Sequence, residues 1–167
     1  MILGVIPLSA FTILHVIISL IAIASGVIVL IAMLASHRLV GLTEVFLGTT
    51  ILTSATGFLF PISGFTPALG TGIASLTVLA VALVALYGRH LHGSWRWIYV
   101  AAAVTALWFN VLVLIVQAFL KVPSLHALAP SGNEPPFVVA QSAALVVLFV
   151  LGLIAAFRFR PGPALAA

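Results

Sequence analysis

Charged residues make up only 5% of this 167-residue chain, and hydrophobic residues make up 64%. A soluble domain cannot present a water-facing surface of that composition, and the long apolar runs indicate an integral membrane protein. The chain has no cysteine, which excludes thiol catalysis, disulfides and iron–sulfur ligation. The net charge of +4 comes from a few basic residues beside apolar runs, where they are typical of topology signals rather than of nucleic-acid binding.

Five apolar runs predict an all-α integral membrane protein, a bundle of five transmembrane helices. The single domain covers residues 1–167, and its predicted spans are residues 8–35, 43–60, 67–87, 95–120 and 137–157. Thr43 is expected to cap the second span, with Glu44 in its first turn. Thr66 and Pro67 are expected to begin the third span, and Ser94 to cap the fourth.

The basic residues predict the orientation of the bundle. With five spans, one end of the predicted bundle receives Arg38, Arg89, Arg96, Arg158 and Arg160. By the positive-inside rule that end is cytoplasmic, so we expect the N-terminus outside and the C-terminus in the cytoplasm.

Polar side chains inside a membrane are costly, so their depth is informative. The outer half of the predicted membrane contains His15, Thr53, Thr56, Asn110, Gln117 and Gln141. We expect these residues to form one polar pocket that opens outward and binds a lipid, a quinone or a similar amphipathic molecule. The alternative is that they only join helices by hydrogen bonds. Among them only His15 can change charge near neutral pH.

The connection at residues 121–137 is long for a small bundle and lies outside in the predicted topology. It contains four prolines together with Lys121, His126 and Glu134. Long connections are usually functional or disordered. We expect a helical turn at residues 124–128 and a lid over the outer pocket; the alternative is an extended surface loop.

The inner turn mixes basic and aromatic residues, which is typical of a membrane interface. Arg89, His90, His92 and Arg96 are therefore expected to contact anionic lipids. The alternative is a b-type haem protein that uses His37 with His90 or His92, although HxH spacing without a Cys or carboxylate cluster indicates a metal only weakly. No cofactor and no metal site are predicted.

Catalytic motifs are missing from the sequence. The two carboxylates, Glu44 and Glu134, fall at opposite faces of the predicted membrane, which excludes paired-carboxylate catalysis. We therefore predict no catalytic residue and do not expect an enzyme. The expected function is that of a membrane-embedded binding protein or an accessory subunit, alone, as a homo-oligomer or in a larger complex. A small transporter or proton-conducting protein built around His15 and Asn110 is a further alternative.

Three stretches of the sequence resemble a known group of proteins. ILTSATGFLFPISGFTPA (51–68), GSWRWIYVAAAVTALWFNVLVLIVQAFLKVP (93–123) and LHALAPSGNEPPF (125–137) resemble a family of small bacterial inner-membrane proteins of unknown function. The resemblance implies a multi-pass protein of the bacterial cytoplasmic membrane with a distinctive fourth span and outer loop. It implies no activity, cofactor or catalytic residue.

Overall fold

The computed structural model describes residues 7–61, 64 and 66–160. Within these residues the chain forms six α-helices: α1 (Leu8–Leu34), α2 (Val40–Gly57), α3 (Pro67–Leu83), α4 (Trp95–Lys121), α5 (Pro123–Leu128) and α6 (Pro135–Arg158). A π-helical turn, Val84–Gly88, extends α3. The described part of the chain contains no β-strand, so the prediction of an all-helical protein is confirmed.

Four helices of the described ranges are long and apolar enough to cross a membrane: α1, α3 with its π-helical turn, α4 and α6. Their outer surfaces carry large apolar side chains, among them Ile13 of α1 and Phe149 of α6, which are 62% and 66% exposed. In water such a surface would promote aggregation, whereas in a bilayer it contacts lipid. The helices therefore have the character of a multi-pass membrane protein.

The helix α2 differs from the other long helices because it is short and rich in hydroxyl groups. It has 18 residues, and its sequence VGLTEVFLGTTILTSATG contains five threonines and a serine. It runs antiparallel to α1, since His15 near the start of α1 bonds Thr56 near the end of α2. It also contacts α3 and α4. Its crossing of the membrane stays a prediction.

The predicted start of the second span is wrong. The helix begins at Val40, and Thr43 lies inside it, buried beside Tyr99 of α4, so Thr43 does not cap it and Glu44 is not in its first turn. Contact with the tyrosine, rather than capping, accounts for a polar residue at this position. The predicted start of the third span is confirmed, because Thr66 Oγ1 accepts a hydrogen bond from the Leu69 N–H over 3.2 Å.

Small residues let α4 lie at the centre of the bundle. It contacts α1, α2, α3 and α6, and it buries Ala102, Ala103 and Ala106. Two glycines on neighbouring helices add to this close approach. A methyl group on Gly152 of α6 would lie 2.9 Å from Val104 Cγ1. Without a hydrophobic driving force between helices in lipid, such close contacts are a main source of stability.

Gly26 of α1 provides the first test of this arrangement. A methyl group there would lie 2.8 Å from Leu107 Cδ1 and from the Phe46 ring. We expect Gly26→Ala to lower the free energy of unfolding by about 1–3 kcal/mol, the usual cost of overpacking a core. The measurement is the thermal unfolding midpoint of the purified protein in detergent. The control is Gly48→Ala in α2, where a methyl group meets nothing within 4 Å. Equal midpoints for the two variants would contradict the close contact.

Candidate functional site

Hydroxyl groups of α2 hydrogen-bond to the helices beside it. Asn110 Nδ2 of α4 donates to Thr50 Oγ1 over 3.0 Å, and the hydroxyls of Ser54 and Ser75 join α2 to α3 over 3.0 Å. Thr50 is fully buried, and its own proton goes to the Phe46 carbonyl at 2.7 Å. Its oxygen is therefore an acceptor for the asparagine amide. Asn110 joins two helices in this structure.

His15 lies half-buried against the last turn of α2. Its Nδ1 is 2.8 Å from Thr56 Oγ1, and its ring meets the Phe60 ring edge-on with 5.1 Å between centroids. The Thr56 proton is directed to the Leu52 carbonyl at 2.6 Å, so Thr56 accepts and His15 Nδ1–H donates. A neutral imidazole in this tautomer keeps Nε2 as a hydrogen-bond acceptor.

The predicted pocket residues are spread over more than one level of the bundle. The bonds from α2 to His15 and to Asn110 are six residues apart along α2, about 9 Å. Thr53 lies between them, and its Oγ1 is buried without a partner among the described residues. Gln117 is exposed and is seven residues beyond Asn110 in α4, about 10 Å further along the helix. No hydrogen bond joins Gln117 to the other predicted residues in the described ranges.

A separate cleft of about 350 Å³ lies between α4 and α6. It is lined by Trp108, Leu112, Val116, Phe137, Gln141, Ser142 and Leu145. Two of these residues carry buried polar atoms without a hydrogen-bond partner in the described part of the chain. These atoms are Trp108 Nε1, which can only donate, and Gln141 Oε1, which can only accept. The structure thus places Gln141 and Trp108 in the lining of one cleft.

The Gln141 amide has a defined orientation. Its Nε2 donates to the Leu112 carbonyl of α4 over 3.1 Å. A flipped amide would set its oxygen against that carbonyl, so Oε1 must point away from Leu112. Two residues that line this mostly apolar cleft thus each have a buried polar atom without a partner in the described ranges, one a donor and one an acceptor.

The predicted helical turn in the outer loop is confirmed as α5, Pro123–Leu128. The α5 helix packs against α4, and His126 Nδ1 lies 3.3 Å from the Phe119 carbonyl. The rings of Phe119 and Phe137 meet edge-on with 5.4 Å between centroids, at the end of the cleft where the loop joins α6. Lys121 is exposed. The loop thus contacts α4 and reaches the end of the α4–α6 cleft at Phe137, and its action as a lid stays a prediction.

Glu134 closes a turn of its own loop. Its Oε1 accepts from the Ser131 N–H at 3.0 Å and from the Ser131 hydroxyl at 2.8 Å, and its Oε2 accepts from the Asn133 N–H at 3.1 Å. These bonds, chiefly the Ser131 N–H, lower the pKa of Glu134 to about 2. Its contribution to the turn is fully present above the ordinary value of 4.5 and is lost as the pH falls through about 2.

The histidines of the inner turn are exposed at the end of the bundle. The rings of His90 and His92 are 6.4 Å apart between centroids, and His92 Nδ1 lies 3.1 Å from the Arg89 carbonyl. The Arg89 guanidinium stacks 5.0 Å from the centre of the Trp95 ring. His37 is exposed at the same end. The described residues contain no group of three or more His, Cys, Asp or Glu that could hold a metal ion.

Arg96 has a structural role that the sequence did not reveal. One of its terminal nitrogens donates to the carbonyls of Ala156, at 3.1 Å, and of Phe159. These are unpaired acceptors at the C-terminal end of α6, where a cation is also favoured by the helix dipole. Arg96 therefore joins the start of α4 to the end of α6, in addition to its predicted place at the lipid interface.

Trp108 is the site residue that sequence reasoning missed. It is 13 residues into α4, about 20 Å from the start of the helix, and so far from the interface where tryptophans usually lie in membrane proteins. Its position in the middle of a span could have identified it from the sequence, because the indole N–H needs a hydrogen-bond partner that lipid cannot supply.

Comparison with known proteins gives no match. No protein-family model, curated protein or solved structure matches this chain. Function is therefore inferred from the residues and the geometry of the site itself.

The hydrogen bond between His15 and Thr56 is testable by a double-mutant cycle. We expect His15→Leu and Thr56→Val to couple by about 0.6 kcal/mol, the average for such bonds between membrane helices. The measurement is unfolding of the single and double variants in detergent. Thr12→Val replaces Thr56→Val in the control cycle, because Thr12 bonds only its own helix at the Leu8 carbonyl. Coupling no larger than in the control would contradict the bond.

Proposed function

We propose that this protein is a multi-pass membrane protein that binds an amphipathic ligand, such as a lipid or a quinone-like molecule, in the cleft between α4 and α6. The single observation that supports this is that Trp108 and Gln141 line the same cleft and that each has a buried polar atom, Nε1 and Oε1, without a partner among the described residues. An unsatisfied buried polar atom costs about 1–3 kcal/mol. A ligand with a hydroxyl head group would satisfy both atoms.

The polar head of the ligand binds between the indole and the amide. A ligand oxygen accepts from Trp108 Nε1–H, and the ligand's own O–H donates to Gln141 Oε1. Both protein atoms are covered by neighbouring side chains, so a small rotation of the indole or the amide accompanies binding. The Ser142 hydroxyl also lines the cleft and offers a further donor and acceptor.

The apolar part of the ligand lies along the helices. Apart from the polar groups, the cleft is lined by leucine, valine and phenylalanine side chains, and Leu145 at its edge is 44% exposed on the outer surface of α6. The space of about 350 Å³ is a shallow groove that is open along most of its surface, so part of the ligand stays in contact with the bilayer. A surface of this kind binds a chain or ring system that is already dissolved in the bilayer.

In the proposed topology α2 crosses the membrane as the fifth span. Its antiparallel contact with α1 and its bonds to α3 and α4 support this arrangement. The end that carries Arg38, Arg96 and Arg160 faces the cytoplasm, in the bacterial cytoplasmic membrane. In that arrangement the cleft belongs to the outer half of the bilayer.

The ligand is identified by extraction. Protein purified from membranes in a mild detergent should carry an amphipathic molecule that mass spectrometry of an organic extract detects. Trp108→Phe keeps a ring but removes the donor, and Gln141→Leu removes the acceptor. Each should lower the occupancy about tenfold, since one such hydrogen bond is worth about 1.4 kcal/mol. Unfolding midpoints of the variants show whether they remain folded.

The matched control is Gln117→Leu, which makes the same chemical change on an exposed residue of α4 outside the cleft. It should retain the molecule at the wild-type level. Absence of any bound amphipathic molecule, or an equal loss in Gln117→Leu and Gln141→Leu, would contradict binding in the cleft.

Reporter fusions at the two termini test the topology. We expect a reporter that works only outside the cytoplasm to be active at the N-terminus, and one that works only inside to be active at the C-terminus. If the chain crosses the membrane an odd number of times, its two termini lie on opposite sides. Both termini on the same side would sink the proposal that α2 crosses the membrane.

A further inference from the structure

The chain segments that follow α1 and α6 meet at one end of the bundle, and each carries an arginine. The Arg160 backbone N–H donates to Ser36 Oγ over 2.9 Å, and Arg38 is two residues beyond Ser36 in the chain. Consecutive Cα atoms are about 3.8 Å apart, so Arg38 and Arg160 start from neighbouring stretches of backbone. Both lie a few residues beyond the ends of α1 and α6.

Arg38 is the unusual member of this pair. It is half-buried near the phenol of Tyr99, and its Nε is buried without a hydrogen-bond partner in the described ranges. Glu44, the carboxylate nearest in the sequence, is exposed on α2. A buried guanidinium nitrogen without an acceptor is unfavourable, so an anion that binds the outer nitrogens of this partly desolvated group would be stabilised there.

Other arginines at this end already have partners. Arg96 donates to the carbonyls at the end of α6, and Arg89 stacks on Trp95. Among the described residues this leaves Arg38, Arg158 and Arg160. The side chains of Arg158 and Arg160 are both exposed, and Arg160 is the one whose backbone bonds beside Arg38, at Ser36. The sequence predicted a basic lipid interface at the inner turn, and the structure adds a second candidate at Arg38 and Arg160.

We propose that Arg38 and Arg160 bind a phosphate group carried by an anionic phospholipid. The planar guanidinium fork matches phosphate oxygens in a bidentate manner, and lipid phosphates lie at the level where membrane-spanning helices end. The inference rests on the proposed membrane placement but not on the cleft. Both leaflets carry phosphates, so it does not depend on orientation.

The test uses the full chain in mixed micelles, with phosphatidylglycerol as the probe and native mass spectrometry as the measurement of bound lipid. Arg38→Gln should weaken binding about tenfold, as expected for the loss of a charge-assisted bidentate contact. Arg38→Lys keeps the charge but loses the fork, and should also weaken binding. Arg160→Gln is the second test if Arg38→Gln does not fold.

The control is Arg158→Gln, which removes the same charge from an exposed residue at the same end. It should change binding less than twofold, and Gln141→Leu in the cleft should not change it. An equal loss in Arg158→Gln and Arg38→Gln, or full binding by Arg38→Lys, would overturn the site in favour of diffuse charge attraction. Displacement of the lipid by millimolar inorganic phosphate would overturn the lipid as the carrier.

Discussion

The bundle depends on the hydrogen bonds that the hydroxyl groups of α2 make with other groups of the protein. Thr50 and Thr56 each donate to the carbonyl one turn back on α2 and accept from a side chain of another helix. Their acceptor positions are filled by Asn110 and His15. In lipid there is little hydrophobic drive to bring helices together, so such bonds and close backbone contacts hold them. At Thr50 and Thr56 the hydroxyl groups of α2 thus both donate and accept, and each joins α2 to a neighbouring helix.

The apolar runs were sufficient to predict the long helices, because in a membrane the length of a helix follows the thickness of the hydrocarbon core. The predicted spans 8–35 and 95–120 differ from α1 and α4 by a single residue at one end. The start of α2 was missed because Thr43 is typical of a cap in sequence, whereas its contact with Tyr99 comes from a helix distant in the chain. A capping preference depends on residues that are neighbours in the sequence, whereas Thr43 and Tyr99 are far apart in it.

The sequence predicts how deep a residue lies along its helix. It predicts only in part which neighbouring helix the side chain faces. Asn110 and Gln117 are two turns apart on one face, yet Asn110 is buried and bonds Thr50 of α2, whereas Gln117 is exposed. Gln141 was expected beside His15 but bonds to α4. Trp108 escaped notice because tryptophan counts as apolar, although its N–H behaves as a polar group when it is buried.

The cleft is bounded along its length. On one side of it Gly152 allows α6 to touch Val104 of α4, and on the other Phe119 meets Phe137. A ligand of the proposed kind would therefore enter sideways from the bilayer rather than along the helices. Its occupancy would follow its concentration in the lipid rather than in water. Because such a molecule partitions into the bilayer, a site of weak intrinsic affinity would stay filled, and exchange would be governed by lateral diffusion rather than by release into solvent.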